Sequence, residues 1–261
     1  MYSEKTLRKG LKTRVFGNKI YTFDTIDSTN NCAKAVAGVG AVEGTVVIAE
    51  QQTAGRGRLG RTWQANPNEN LTFSIILRPK VNPDSLNLLP LYVAVALAQA
   101  IERTTGLKVE CKWPNDLLID KKKVAGILIE GSIKQNQVEY VVIGIGINVN
   151  QQSFAGELAP KATSLRLSSG KEIERTMLFR ESLLILESTY AGVSSTGFQS
   201  ILPQWLSRST MINKPISVSQ QGNLISGVVK GLSRDGGLIL QSEGAEKTLF
   251  AGDVTIVGMD A

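Results

Sequence analysis

Gly55-Arg56-Gly57-Arg58-Leu59-Gly60-Arg61-Thr62-Trp63 packs three arginines, three glycines and a tryptophan into nine residues. How it is read decides the fold. Glycines 55, 57 and 60 match the Gly-x-Gly-x-x-Gly of a dinucleotide-binding turn. That turn needs a helix directly after it and an acid about 20 positions further on. Here Asn66-Pro67-Asn68-Glu69-Asn70 follows, which is turn chemistry. An apolar run, Leu71 to Leu77, comes next, and residues 75 to 80 hold no acid. A dinucleotide turn also binds phosphate with bare amides, whereas this stretch brings three cations. The doubly wound reading fails. A closing loop remains: glycine lets the backbone approach a ligand, arginine offers a fork of donors for phosphate, and tryptophan offers a face for a ring.

Two other readings of the stretch also fail. Arginine-glycine segments that bind nucleic acid come as repeats in disordered context, and this one is single and joined to a strand pattern. No phosphate-binding Walker motif exists, because Gly170-Lys171 is followed by Glu172.

Composition narrows the chemistry further. The 261 residues suit one domain of about 200 residues with a small partner. The net charge of +6 fits an anionic small ligand as readily as nucleic acid. There is no histidine, which excludes Ser-His-Asp and Cys-His nucleophile pairs and His-ligated metals. Cys32 and Cys111 are too few for a zinc site or a disulfide scaffold and read as small buried hydrophobes. Met1 to Lys12 is polar and basic, unlike a signal peptide. The longest apolar run, Leu86 to Ile101, is interrupted by Asn87, Pro90 and Gln99, falls short of the ~18 residues of a membrane span, and reads as a core helix. A cytoplasmic protein without a membrane partner is expected.

Outward from the loop, periodicity predicts strands at Lys19–Phe23, Gly44–Ala49 and Leu71–Leu77. A helix is predicted over Leu88–Arg103, stopped by Gly106. Lys108–Trp113 alternates as a strand, Pro114-Asn115-Asp116 breaks it, and Leu117–Ile119 resumes. Asp120 to Lys123 reads as a hairpin tip. Val124–Glu130 and Tyr140–Asn148 read as apolar strands, the latter central or at an edge. Gln151–Lys161 reads as loop, Glu172–Tyr190 and Phe198–Ser207 as helices. Near Ser209 the composition changes. Five short strands (Pro215–Val218, Leu224–Gly231, Gly237–Gln241, Lys247–Phe250, Val254–Val257) then suggest a small β-barrel. Arg234 to Gly237 reads as a turn.

Three further motifs carry chemistry. Asp27-Ser28-Thr29-Asn30 stands before a helical segment, Asn31 to Val39. It reads either as a helix cap or as hydroxyls and amides that bond a small polar ligand. Lys112-Trp113-Pro114-Asn115-Asp116, followed by Lys123-Val124-Ala125-Gly126, places a carboxylate and an amide on one strand end and a lysine across the hairpin. Gly144-Ile145-Gly146-Ile147-Asn148 is a strand with two glycines, which suits the close approach of a ligand or backbone.

In this order and at these separations, the motifs resemble those of the bacterial biotin protein ligases, over roughly residues 20 to 260. The resemblance implies an α/β (α+β) catalytic domain, residues 1–209, with a mixed sheet flanked by helices, of the class II aminoacyl-tRNA-synthetase/biotin-ligase type. An SH3-like β-barrel, residues 210–261, would follow. It implies two half-reactions: the biotin carboxylate attacks the α-phosphate of MgATP, and a lysine of the biotin carboxyl carrier protein then attacks biotinyl-5′-AMP. That carrier would belong to acetyl-CoA carboxylase or pyruvate carboxylase. Lipoate or octanoate ligases share the fold but not the arginine loop. Carried over by motif, Ser28, Thr29, Asn30, Gln52, Gly55, Arg56, Gly57, Arg58, Lys123 and Gly126 would bind biotin. Arg56, Arg58, Arg61, Trp63, Asn115 and Asn148 would serve the nucleotide, and Asp116 its Mg2+. Arg58 and Lys123 would be catalytic. Of Lys121, Lys122 and Lys123, the last is selected by its place before Val-Ala-Gly. Bifunctional members carry a DNA-binding domain before the catalytic part. Only 26 residues precede Asp27, so a monofunctional enzyme without DNA as a partner is expected, monomeric or homodimeric.

Overall fold

The computed structural model describes residues 2–220 and 222–256. A short helix, α1 (Glu4–Arg8), comes first; Ser3 caps it by accepting from Thr6 N, and Leu7 is fully buried. Then come β1 (Ile20–Ile26), α2 (Thr29–Gly38), β2 (Val46–Gln52), β3 (Leu71–Leu77) and α3 (Leu89–Thr105). β4 (Glu110–Lys112), β5 (Asp116–Ile119), β6 (Lys122–Lys134) and β7 (Gln137–Ile147) follow. Helices α4 (Leu165–Ser169), α5 (Arg175–Thr196) and α6 (Leu202–Arg208) complete the first part.

These strands form one seven-stranded sheet in the order β1-β2-β3-β7-β6-β5-β4. β1 runs parallel to β2 and every other pair is antiparallel. The strand around residues 140–148 is therefore central, between β3 and β6. Period-two alternation divides the sheet into two faces. Leu71, Phe73, Ile75 and Leu77 join Ile143, Ile145, α3 and α5 in the main core. On the opposite face Val47, Ile76 and Val142 pack against Ala33 and Ala37 of α2. The intervening positions on that second face, Thr72, Ser74, Gly144 and Gly146, are small or polar. They floor the groove described below.

α3 ends as its sequence predicts, with Gly106 in the left-handed region at φ 76°. With its 3-10 lead-in, the segment Pro83–Thr105 is long and apolar enough to cross a membrane, more than the sequence run suggested. Nearly every α3 side chain from Leu89 to Ile101 is buried, as in the core helix of a folded domain. The hairpin tip narrows to Asp120 and Lys121, both left-handed, which leaves Lys122 and Lys123 inside β6. Of the two cysteines, Cys111 is buried and its thiol is pushed up to about 12 by that burial, while Cys32 is only half-buried.

Strands β8 (Pro215–Gln220), β9 (Asn223–Leu232), β10 (Leu238–Ser242), β11 (Ala245–Leu249) and β12 (Asp253–Ile256) form a second, antiparallel sheet in the order β11-β10-β9-β8-β12. The predicted last strand extended to Val257, which lies outside the described residues. This sheet shares the core of the first: Trp113 and Met211 join Ile216, Val218, Leu238 and Leu240 in one buried cluster. Trp113, preceding a cis Pro114, donates its indole N–H to Gly236 O at 3.1 Å. The turn read at Arg234–Gly237 thus forms one of the contacts between the two parts.

Candidate active site

α2 begins above the polar end of the second sheet face. Ser28 holds the N-cap position but its hydroxyl does not cap the helix. Ser28, Thr29 and Asn30 instead turn inward, while Asp27 stays exposed and accepts from Asn31 Nδ2 at 2.7 Å. Thr29 donates its backbone N–H to Gln52 Oε1 at 2.8 Å, with its hydroxyl 3.1 Å from the same oxygen. Ser74 Oγ lies 2.6 Å from Asn30 Oδ1 and 2.8 Å from Thr29 Oγ1. Ser28, Thr29, Asn30 and Ser74 are all buried. A buried hydroxyl–amide cluster is costly unless fully bonded, and this one sits at the mouth of a groove.

Glycines shape the groove floor. Gly146 faces Gly126 and Gly144 faces Leu128 in the β6–β7 register. A Cβ on Gly144 would collide with the Asn30 side chain, and one on Gly146 with the Trp63 indole. A Cβ on Gly126 would come within 3.0 Å of Trp63 and 3.2 Å of Lys123. The glycines are thus required by side chains descending from the two elements that roof the groove. Trp63 lies along it with Lys123 Nζ 5.6 Å from the ring centre. Its indole Nε1 is buried without a partner among the described residues. An orphan donor of this kind suits a ligand acceptor.

The loop is a tight hairpin. Gly57 N donates to Arg61 O at 2.7 Å and Trp63 N to Gly55 O at 3.0 Å. Leu59 (φ 54°) and Gly60 (φ 74°) turn its tip through left-handed backbone. The three arginines do not converge. Arg56 reaches Asn31 Oδ1 at 2.6 Å and Glu130 at 3.1 Å. Arg58 reaches Asn115 Oδ1 and Gly252 O, both at 3.3 Å. Arg61 pairs with Asp253. Burial, the largest influence on Arg58, lowers its pKa, and Asp253 and Asp116 partly oppose that.

Across the hairpin, Lys123 Nζ meets Asp116 Oδ1 at 2.7 Å as an ion pair without hydrogen-bond alignment. Lys123 is half-buried, while Lys121 and Lys122 are exposed. Lys112 stands opposite Asp116 in the β4–β5 register. Burial lowers its pKa, with the Asp116 charge working against that and Lys123 adding to it. Asn115 links the arginine loop to β6, since its Nδ2 donates to Ile127 O at 2.7 Å. Asn148 is buried and donates to Thr163 O at 3.1 Å.

The motif residues therefore gather on one face: a neutral polar pocket (Thr29, Asn30, Gln52), a glycine floor, and a cationic end (Arg58, Lys112, Lys123). Ser74, Glu130, Lys112 and Asp253 belong to this surface but were not singled out from sequence. Only Lys112 had a signal there, its place in the Trp-Pro-Asn-Asp motif.

Among the described residues, no cluster of three or more His, Cys, Asp or Glu side chains could cage a metal ion. Two carboxylates, Asp116 and Asp253, act on the cationic end, and Asp253 is paired with Arg61. That suits Mg2+, which is bound through one or two carboxylates plus substrate phosphates and keeps several waters.

Comparison with known proteins places this geometry. Residues 22–148 match the sequence model of the biotin/lipoate A/B protein ligase family. The bifunctional ligase/repressor of Bacillus subtilis is 37% identical over 97% of this chain and 79% of its own length. The biotin–[acetyl-CoA-carboxylase] ligase of Paracoccus denitrificans is 32% identical over 89% of this chain and 98% of its own. Among solved structures, the biotin protein ligase of Aquifex aeolicus in complex with biotin and ATP superposes with a TM-score of 0.78. It is 28% identical, covering 91% of this chain and 98% of that one.

Proposed function

The chain belongs to the biotin/lipoate A/B protein ligase family, and from that premise we infer how its groove joins biotin to a protein lysine at the expense of ATP. It is a biotin protein ligase. The observation that carries the residue-level reading is the continuity of neutral pocket, glycine floor and cationic end.

A ureido ring has a carbonyl that needs donors and two N–H groups that need acceptors. Ser28, Thr29, Asn30 and Gln52, supported by Ser74, offer both in a buried corner. The carboxylate tail then points toward Lys123 along Gly126 and Gly146, where it takes the place of the Trp63 indole that rests on both glycines. The nucleophile is already ionised, so no base is needed. The barrier lies in bringing a carboxylate to a phosphate, and Arg58, Lys112 and Lys123 offset that charge. Asp116 is the candidate for the magnesium that arrives with ATP, where the ion would spread phosphate charge. Pyrophosphate leaves, and the mixed anhydride waits beneath the loop, away from water. The lysine amine of a biotin carboxyl carrier domain then attacks it and AMP departs. The five-strand second sheet is SH3-like in size, and its Gly252 and Asp253 hold the loop arginines.

ATP–pyrophosphate exchange tests the function. Exchange should depend on biotin, and exchange with lipoate but not biotin would overturn the reading. Arg58 tests the loop. It is bonded to neutral oxygens, Asn115 Oδ1 and Gly252 O, which leaves its charge for an anion. Arg58→Ala should speed release of biotinyl-AMP by about 10–100-fold, the value of one hydrogen bond to a charged group. Unchanged dissociation, measured by competition, would remove Arg58 from that role.

A further inference from the structure

Glu130 follows the apolar run Val124–Ile129 inside β6, and neither the mechanism above nor the motifs use it. Its carboxylate accepts from Asn30 Nδ2 at 2.8 Å and pairs with Lys34 Nζ at 2.7 Å. Arg56 Nη2 lies 3.2 and 3.1 Å from its two oxygens. Helix α2, strand β6 and the arginine loop therefore meet on one side chain. Burial pushes its pKa up, but the Lys34 and Asn30 bonds outweigh that and hold it below the usual glutamate range. It stays ionised.

An ionised carboxylate only accepts hydrogen bonds. The Asn30 group facing it must then be the NH2, and Oδ1 must point the other way, toward Ser74 Oγ. An amide oxygen also only accepts, so Ser74 gives its single proton there. Ser74 Oγ also lies 2.8 Å from Thr29 Oγ1, whose own proton goes to Gln52 Oε1 at 3.1 Å. Gln52 Oε1, with two lone pairs, accepts from both the backbone N–H and the hydroxyl of Thr29. One half-buried charge thus sets the sense of the hydrogen bonds from Glu130 through Asn30 to Ser74. Without it, the long 3.5 Å contact of Nδ2 with Leu128 O is what opposes turning Asn30 over, with Oδ1 and Nδ2 exchanged.

We propose that Glu130 is a positioning residue that fixes the donor–acceptor polarity of the biotin-ring pocket, acting through Asn30 and Ser74, and ties that pocket to the first arm of the loop through Arg56. This rests on the reading that Asn30 lies beside the ureido ring. The ligand property it controls is discrimination between a carbonyl and a group of opposite hydrogen-bonding sense at the same position. In 2-iminobiotin an imine nitrogen replaces the carbonyl oxygen, so a donor can stand where biotin only accepts.

The test is equilibrium binding of biotin and 2-iminobiotin without ATP, so that Arg56 at the phosphate does not enter. The wild-type protein should prefer biotin. Glu130→Gln should narrow that preference by about tenfold or more, the value of one charge-assisted hydrogen bond, with the thermal midpoint recorded as a check on folding. Glu130→Asp keeps the charge and should restore most of the preference. Asn30→Ala separates the two levels of the argument. If it binds biotin like the wild type, the reading of the pocket is wrong. If it weakens binding while Glu130→Gln keeps the full preference, the pocket stands and the role of Glu130 falls. Should Glu130→Gln not fold, Ser74→Ala interrupts the same chain without touching the ion pairs, and an undiminished preference there overturns the proposal.

Discussion

Lys123→Ala is expected to lower biotinyl-AMP formation by about 10²–10³-fold, the usual cost of deleting one preorganised group at a developing charge. The ammonium is half-buried, 2.7 Å from Asp116 and beside Trp63. Its removal has two consequences with the same sign. The cation opposite the reacting carboxylate and phosphate is lost, and Asp116 loses the ammonium that offsets its charge before ATP brings magnesium. Lys121→Ala and Lys122→Ala should stay within about twofold of the wild type, because both side chains are in water. Lys123→Arg should recover little, since a planar fork replaces a point charge beside an indole. Biotin-dependent pyrophosphate exchange reads all four variants. Similar losses at the three lysines would show that the hairpin acts only by its summed charge.

Gly146→Ala should cost about 100-fold in overall ligation, the penalty for displacing a group by about 1 Å in a closed site. The added methyl would meet the Trp63 indole, which descends from the loop. The strand keeps its register with β3 and β6, so the melting temperature should change little. The loop should close poorly and the adenylate should leak. A double-mutant cycle isolates the cause. If the clash with Trp63 is responsible, Gly146→Ala adds little to Trp63→Ala. Additive losses would instead mean that the methyl excludes the ligand itself.

Strong local signals were read well from sequence. Leu71–Leu77 is β3 to the residue, and the Ala/Leu-rich α3 stops at Gly106. The helices α1 and α4 were missed because five residues carry no periodicity; each depends on a serine cap and one buried leucine. The motif residues were legible as types, since three arginines among glycines or a Trp-Pro-Asn-Asp turn stand out from any background. Their supports were not. Ser74 is one hydroxyl inside an apolar strand, and Glu130 one acid after the apolar run Val124–Ile129. Only the pairing of β3 with β7 and of β7 with β6 brings them under Asn30. Likewise the loop looked like three arginines aimed at one anion. Their separate anchors on Glu130, Asn115 and Asp253 lie 57 to 192 residues away.

Those last anchors have a practical side. Gly252 and Asp253, which receive Arg58 and Arg61, are joined to the rest of the chain through the exposed Asn213–Lys214 turn. The two sheets meet along an apolar seam lined by Trp113, Met211 and Leu238. A backbone cut in that turn would give fragments whose reunion rebuilds both the seam and the arginine anchors at once. Recovery of ligation would then report fragment association, which makes the molecule a candidate for a complementation sensor that writes its own biotin mark.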